Sequence, residues 1–228
     1  VTRARLTGAG LAAVGAVGCA TLTTARPLEP GEHALGVVAG GGLVDLGAPI
    51  PLPVVSLEGR HGVARVADRP VDVGWGVDAT ALAFGVVAVH GSSSILLFEQ
   101  ARARPALSLS DRLWFATNVV GLPSKPDPQL QAWLCDQVEL TASWKLGQQL
   151  GYVALAQYVD FGNPTLTLTP AVGGVFDFRE PGGVALQAEV RWFGLGVADT
   201  AETVDWIPGG TGILGVSLGL SSRFGRGR

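Results

Sequence analysis

The chain has 228 residues, the size of one domain, with a formal charge of -3 and 47% hydrophobic residues, so it lacks the basic excess of a nucleic-acid binder. Charged residues are 15% of the chain against a usual ~25% and mean hydropathy is +0.36, yet past the N-terminus no apolar run reaches the ~18 residues of a spanning helix, which favours strands. Cys19 and Cys135 are the two cysteines, too few for a disulfide framework, and the 33 glycines suit tight turns and crowded interiors better than helices.

The first element reads as an address. Arg3 and Arg5 precede an uncharged run that ends before Arg26, and Leu6 to Gly18 are almost wholly Leu, Ala, Val and Gly. This is the charged and then apolar pattern of a signal peptide, expected over 1–18. Ala16, Val17 and Gly18 leading into Cys19 resemble the lipobox of bacterial lipoproteins, departing from it at Ala16, where Leu is usual. The resemblance implies acylation of Cys19 and, because Ala20 is not acidic, the outer membrane as destination. Residues 19–30, with Pro27 and Pro30, then read as a tether, 31–224 as a β-domain and 225–228 as a short tail.

Strands are expected near 32–43, 54–62, 71–78, 81–89, 94–101, 105–119, 131–146, 150–160, 165–178, 183–194 and 211–224, separated by breaks rich in Gly, Pro, Asn and Asp. The alternation is clean. Val138, Leu140, Ala142, Trp144 and Leu146 oppose Glu139, Thr141, Ser143 and Lys145, and Val184, Leu186, Ala188, Val190 and Trp192 oppose Gln187, Glu189 and Arg191. The last strand sets Leu214, Val216, Leu218, Leu220 and Phe224 against Ser217, Ser221 and Arg223. Eleven candidates conflict with the even strand numbers of bacterial single-chain barrels, so ten strands are expected, with eight or twelve as alternatives, and the miscount is placed between Thr80 and Val120. Pro170 predicts a bulge or the end of a ladder. Leu122 to Gln129 and Ala198 to Gly210 read as long exposed loops.

Period-two alternation does not say which face is inside, since a lipocalin-like protein shows it too. Three features favour an all-β, antiparallel transmembrane barrel. The polar faces are poor in charge and rich in Gly, Ser, Thr and Ala, as a narrow lumen requires. Trp75, Trp114, Trp144 and Trp192 fall near expected strand ends, where interfacial girdles sit. The terminal strand closes on Phe224, which resembles the aromatic-ended signal read by the outer-membrane insertion machinery. On this reading Glu58, Arg60, Asp72, Asp78, Glu139, Lys145, Asp177, Glu189, Arg191 and Arg223 face the lumen, and both signs being present, they are expected to pair with one another.

The segments LEGRHGV, DRPVDVGWGV, CATLTTARPLEPGEH, PAVGGVFDF and GGVALQAEVRWF make the chain resemble a loosely defined group of small bacterial outer-membrane β-barrel proteins, many with a lipoprotein-type N-terminus. The resemblance implies membrane lipids as partners and a Gram-negative outer-membrane location, and carries over no catalytic residue. His33, His61 and His90 each stand without a His or Cys at ligand spacing, so no metal or other cofactor is expected, and no nucleic acid. His90 beside Ser92, Ser93 and Ser94, and His61 after Ser56, read either as Ser/His pairs of a membrane lipid hydrolase or as plain turn residues, and the turn is preferred. The expected function is therefore non-enzymatic, an envelope structural role or a minor narrow channel. The alternatives are a lipid-anchored, lipocalin-like barrel that buries Val138, Leu140, Trp144, Leu186 and Trp192 around a hydrophobic ligand, and the hydrolase.

Overall fold

The computed structural model describes residues 21–51, 53–83, 85–118, 132–161, 166–177, 183–195, 207 and 212–225. Its strands are β1 (Glu32–Asp45), β2 (Pro49–Pro51), β3 (Val54–Val66), β4 (Arg69–Asp78), β5 (Val86–Phe98), β6 (Ala106–Asn118), β7 (Ala132–Leu146), β8 (Gln149–Asp160), β9 (Leu166–Asp177), β10 (Val184–Phe193) and β11 (Ile213–Gly225), with one short helix, α1 (Ala79–Ala83). From β3 to β11 each strand pairs antiparallel with the next, β1 pairs with β3, and β11 returns to pair with β1. The closing ladder runs from Glu32 opposite Gly225 to Gly42 opposite Gly215. Ten strands thus form a closed barrel with no free edge. β2 stands apart, pairing with Leu43, Val44 and Asp45 at the far end of β1.

The barrel has ten strands, as the even-number rule leads one to expect, and the surplus candidate lies between Thr80 and Val120. Segments 81–89 and 94–101 do not form two strands: Ala79 to Ala83 turn as α1, and β5 continues unbroken from Val86 to Phe98. Asp78 explains the break. Its Oδ1 accepts the Ala81 N–H at 2.9 Å, a side-chain cap on the first turn. At Pro170 the β8 ladder continues, with Leu155 opposite it, while the β10 ladder stops at Ala171 opposite Arg191, because proline has no N–H to give.

One end of the barrel carries the tight turns. Ala67 and Asp68, with φ of 48° and 62°, join β3 to β4 in the doubly left-handed geometry that suits a two-residue hairpin, and Gly147 and Gln148 join β7 to β8. Glu32 and Gly225 start and finish the wall at this same end. The opposite end carries α1 and the longer connections. At the seam, His33 stacks between His61 at 4.3 Å and Phe224 at 5.4 Å, centroid to centroid, so three rings on β3, β1 and β11 cover the outside of the closure near the short-turn end.

Burial settles which face is inside. Leu57, Leu113, Val138, Leu140, Val153, Leu155, Val172, Leu218 and Leu220 are all exposed on the outer wall, with Val138 at 43% and Leu140 at 47%. Their strand neighbours Ser108, Arg112, Gln137, Glu139, Thr141, Thr169, Glu189, Arg191 and Ser217 are buried inside. The lipocalin-like alternative is corrected by this inversion: Val138 and Leu140 are not buried, Trp144, Leu186 and Trp192 are only half-buried, and the interior is polar. Strands of 10 to 15 residues, rising about 3.3 Å per residue and tilted about 40°, give a wall on the order of 25–38 Å tall, enough to cover the roughly 25 Å apolar band of a membrane barrel. Trp114 departs from its expected girdle place. It points into the lumen, buried, with its ring 4.3 Å from that of His90.

Candidate functional site in the barrel lumen

The interior is built from the inward-facing positions of all ten strands, and its occupant is the chain itself. Residues 21–30 form no ladder and run inside the barrel from its middle to the short-turn end, where Gly31 N–H donates to the Gly62 carbonyl at 2.9 Å. Thr21, Leu22, Thr23, Thr24, Ala25 and Leu28 are all buried. The segment expected as a tether is, over Thr21 to Pro30, a strap filling the lumen. The physical reason lies in its composition. Small and hydroxylated side chains fit a narrow bore, and the wall supplies partners for a main chain that has none of its own.

Those partners come from both sides. Thr23 N–H donates to Glu189 Oε2 at 2.9 Å, and Gln187 Nε2 donates to the Thr23 carbonyl at 2.9 Å. Arg112 Nη2 reaches the Leu22 carbonyl at 3.3 Å, Arg60 Nη2 the Arg26 carbonyl at 2.9 Å, and Leu28 N–H donates to Asp72 Oδ2 at 2.9 Å. Arg26 turns its own guanidinium to Ser143 Oγ at 3.2 Å and Gln100 Oε1 at 2.7 Å. At the mouth Arg65 pairs with Glu29 at 2.7 Å. Two wall glycines make room: a Cβ on Gly62 would run into the Glu29 carbonyl, and one on Gly219 into the Leu22 side chain.

The electrostatic centre is Arg191. Its Nε donates to Glu189 Oε1 at 2.7 Å, its Nη2 to Glu139 Oε2 at 2.9 Å and to Thr23 Oγ1 at 2.7 Å, and its Nη1 to Tyr158 Oη at 3.2 Å. Tyr152 donates to Glu189 Oε2 at 2.8 Å and accepts from Gln187 Nε2 at 2.8 Å, while Gln137 Nε2 donates to Glu139 at 3.3 Å. Two carboxylates share one fully engaged guanidinium, which is how buried charge is tolerated. A second cluster sits nearer the short-turn end, where Asp72 takes Arg60 on one oxygen and Ser94 on the other.

The residues expected to face the lumen sort into three groups. Glu58, Arg60, Asp72, Glu139, Glu189 and Arg191 lie together inside, lining the strap's seat or its charge centre. Asp78 is buried but serves α1, whereas Lys145 and Arg223 are exposed at the short-turn mouth. The Asp177 side chain, like the signal peptide over 1–18, Cys19 and most of the two long loops, lies outside the described residues. Sequence reasoning missed Arg112, Trp114, Tyr152, Tyr158 and the strap, and placed Gln187 on the polar face of its strand without counting it in the lumen set. Arg112 was within reach, because Ser108, Ser110 and Arg112 alternate with Leu107, Leu109 and Leu113. Tyr152 and Tyr158 alternate only with Ala154 and Ala156 on their face, so no polar signal marked it.

The Ser/His pairings weighed for a lipid hydrolase are not formed at the lipid face. His90 points inward against Trp114, Ser94 is buried on Asp72, and Ser93 is exposed on the outer wall. His61 is part of the outer seam stack, whereas Ser56 is buried on the inner face of the same strand.

No protein-family model and no curated protein sequence matches the chain. Among solved structures, an outer membrane channel from Pseudomonas putida F1 aligns over 90% of this chain and 99% of its own at 9% identity, with a TM-score of 0.47. The translocator domain of autotransporter NalP from Neisseria meningitidis aligns over 94% and 93% at 11% identity, TM-score 0.40. The N-terminal β-barrel domain of OprF from Pseudomonas aeruginosa aligns over 86% and 100% at 11% identity, TM-score 0.30. The chain's own geometry carries the assignment: a closed, ten-stranded antiparallel barrel, apolar outside and polar within, has the architecture of an outer-membrane β-barrel.

Proposed function

We propose that the protein resides in the outer membrane of a Gram-negative bacterium as a non-enzymatic barrel, with an envelope structural role or as a minor narrow channel. The observation that carries this is the inverted burial. A closed wall with exposed leucines and valines around it and charges inside is stable in lipid and would aggregate in water. Membrane lipids are the partners of the outer wall, and β11, with Phe224 one residue from its end, is the segment offered to the insertion machinery. The lumen argues for a narrow conduit at most, since side chains and the strap fill it.

Acylation of Cys19 belongs to the same proposal, in a state where the strap has left the lumen. Two residues span at most about 7 Å, and Thr21 is enclosed by the wall, so a seated strap and a lipid-inserted Cys19 exclude one another. The test of the barrel assignment is gel migration of the protein from washed outer membranes, unboiled against boiled. A heat-dependent shift is expected. A protein without a shift, released in soluble form once any lipid anchor is removed, would overturn the assignment.

A further inference from the structure

We infer that the lumen is a binding groove for an extended polypeptide, held by its main chain, and that residues 21–28 are its exchangeable occupant in cis. This rests on the membrane-barrel assignment above and goes beyond it in naming the ligand class.

The contacts themselves point to that class. Three strap carbonyls accept from Arg112, Gln187 and Arg60, and two strap amides donate to Glu189 and Asp72. A wall that grips peptide groups with donors and acceptors on both sides recognises an extended chain more than any side chain on it. Side chains add to this at three positions, Thr23 on Arg191, Arg26 on Ser143 and Gln100, and Leu22 in a hollow over Gly219.

The occupant is also built to leave. None of residues 21–31 pairs in a ladder, and barrel closure begins only at Glu32, so withdrawal breaks no strand pairing. Gly31, with φ of 83°, joins strap to wall in a conformation that favours glycine. The seat is incompletely satisfied while the strap is in it. Arg112 Nε and Nη1, Glu58 Oε1 and Thr21 Oγ1 are buried with no hydrogen-bond partner, and a gap of about 70 Å³ runs beside Leu22 to Arg26, lined in part by Glu58, Arg60 and Gln187. Water entering on withdrawal hydrates these groups and offsets the peptide contacts that are lost. The vacated lumen is then a narrow polar passage.

The experiment compares single-channel conductance of the full chain with that of a Thr23→Pro/Leu28→Pro variant in planar lipid bilayers. Both substitutions remove strap amides and leave the wall untouched. Gly219→Val, which takes the hollow of Leu22 from the wall side, is an independent second variant. At least a tenfold rise in open probability is expected for both; a synthetic peptide of residues 21–30 in excess should restore the closed level in the double-proline variant, whose wall is intact, and fail to do so in Gly219→Val, whose hollow for Leu22 is filled. Variants that keep a heat-dependent gel shift and conduct as the parent does, or a double-proline variant that opens and is not blocked by the peptide, overturn the groove while leaving the barrel assignment intact. Loss of the gel shift in the parent itself would instead remove the barrel assignment, and the groove with it.

Discussion

Two parts of the lumen wall meet the cost of buried polarity in opposite ways. On β8 to β10, Tyr152, Tyr158, Gln187, Glu189 and Arg191 form one network in which every nitrogen of Arg191 donates and both oxygens of Glu189 accept. On β5 to β7, His90 Nδ1, Ser108 Oγ, Arg112 Nε and Nη1, Trp114 Nε1, Gln137 Oε1 and Thr141 Oγ1 are buried and without partners. Both walls bury polar side chains. The difference teaches that satisfaction, and not polarity, separates a wall that holds its occupant from one that gains by hydration.

The contrast is most severely tested at the two arginines. Arg191→Met leaves Glu139 and Glu189 buried without their cation and should cost about 3–5 kcal/mol, read as a lowered urea midpoint of the refolded barrel in lipid. A loss below about 1 kcal/mol would show that the carboxylates are hydrated in place and would dissolve the contrast.

The outer face of the weaker wall gives the next test. Asp111 is exposed on β6 and Asp136 points outward on β7, amid the exposed Leu109, Leu113, Val138 and Leu140. A carboxylate facing lipid is costly, so Asp111→Leu should stabilise the barrel by about 1 kcal/mol in bilayers. Measured in lipids of two thicknesses, the gain should be larger in the thicker one, where Asp111 lies farther from water.

The smallest effect is expected where burial alone would suggest a large one. Arg112 is as buried as an active-site cation, yet it makes one long contact to the strap and has two unpartnered nitrogens. Arg112→Met should therefore fall within about 1 kcal/mol of the parent. The same urea titration decides it. A loss matching that of Arg191→Met would mean that the two walls do not differ.

Much of the fold could be read from the chain because strand parity is a local property. Val138 to Leu146 and Val184 to Phe193 show their faces within ten residues, and the structure turns those faces as the alternation and the low charge implied. The errors fell where local pattern is silent. Val86 to Phe98 carries His90, Gly91 and three serines, which break the apolar rhythm in the middle of a continuous strand, and Trp114 looks like a girdle residue until its parity on β6 is known. Of the candidate site, Glu139, Glu189 and Arg191 stood out as charges on polar faces. Tyr152 and Tyr158 did not, because alanines beside them clear space and leave no polar signature.

Parity and charge along the chain are enough for the barrel class, the strand faces and six of the inward charges, Glu58, Arg60, Asp72, Glu139, Glu189 and Arg191, since a period of two with leucine on one side and little charge on the other has few stable solutions. What only the tertiary structure decided is who pairs with whom. Arg191 meets Glu139 across 52 positions and Thr23 across 168, and Thr21 to Pro30 become an interior strap because a closed bore places peptide acceptors and donors on all sides of a segment too short and too polar to fold alone. Those contacts depend on barrel radius and register, which no local window of sequence contains.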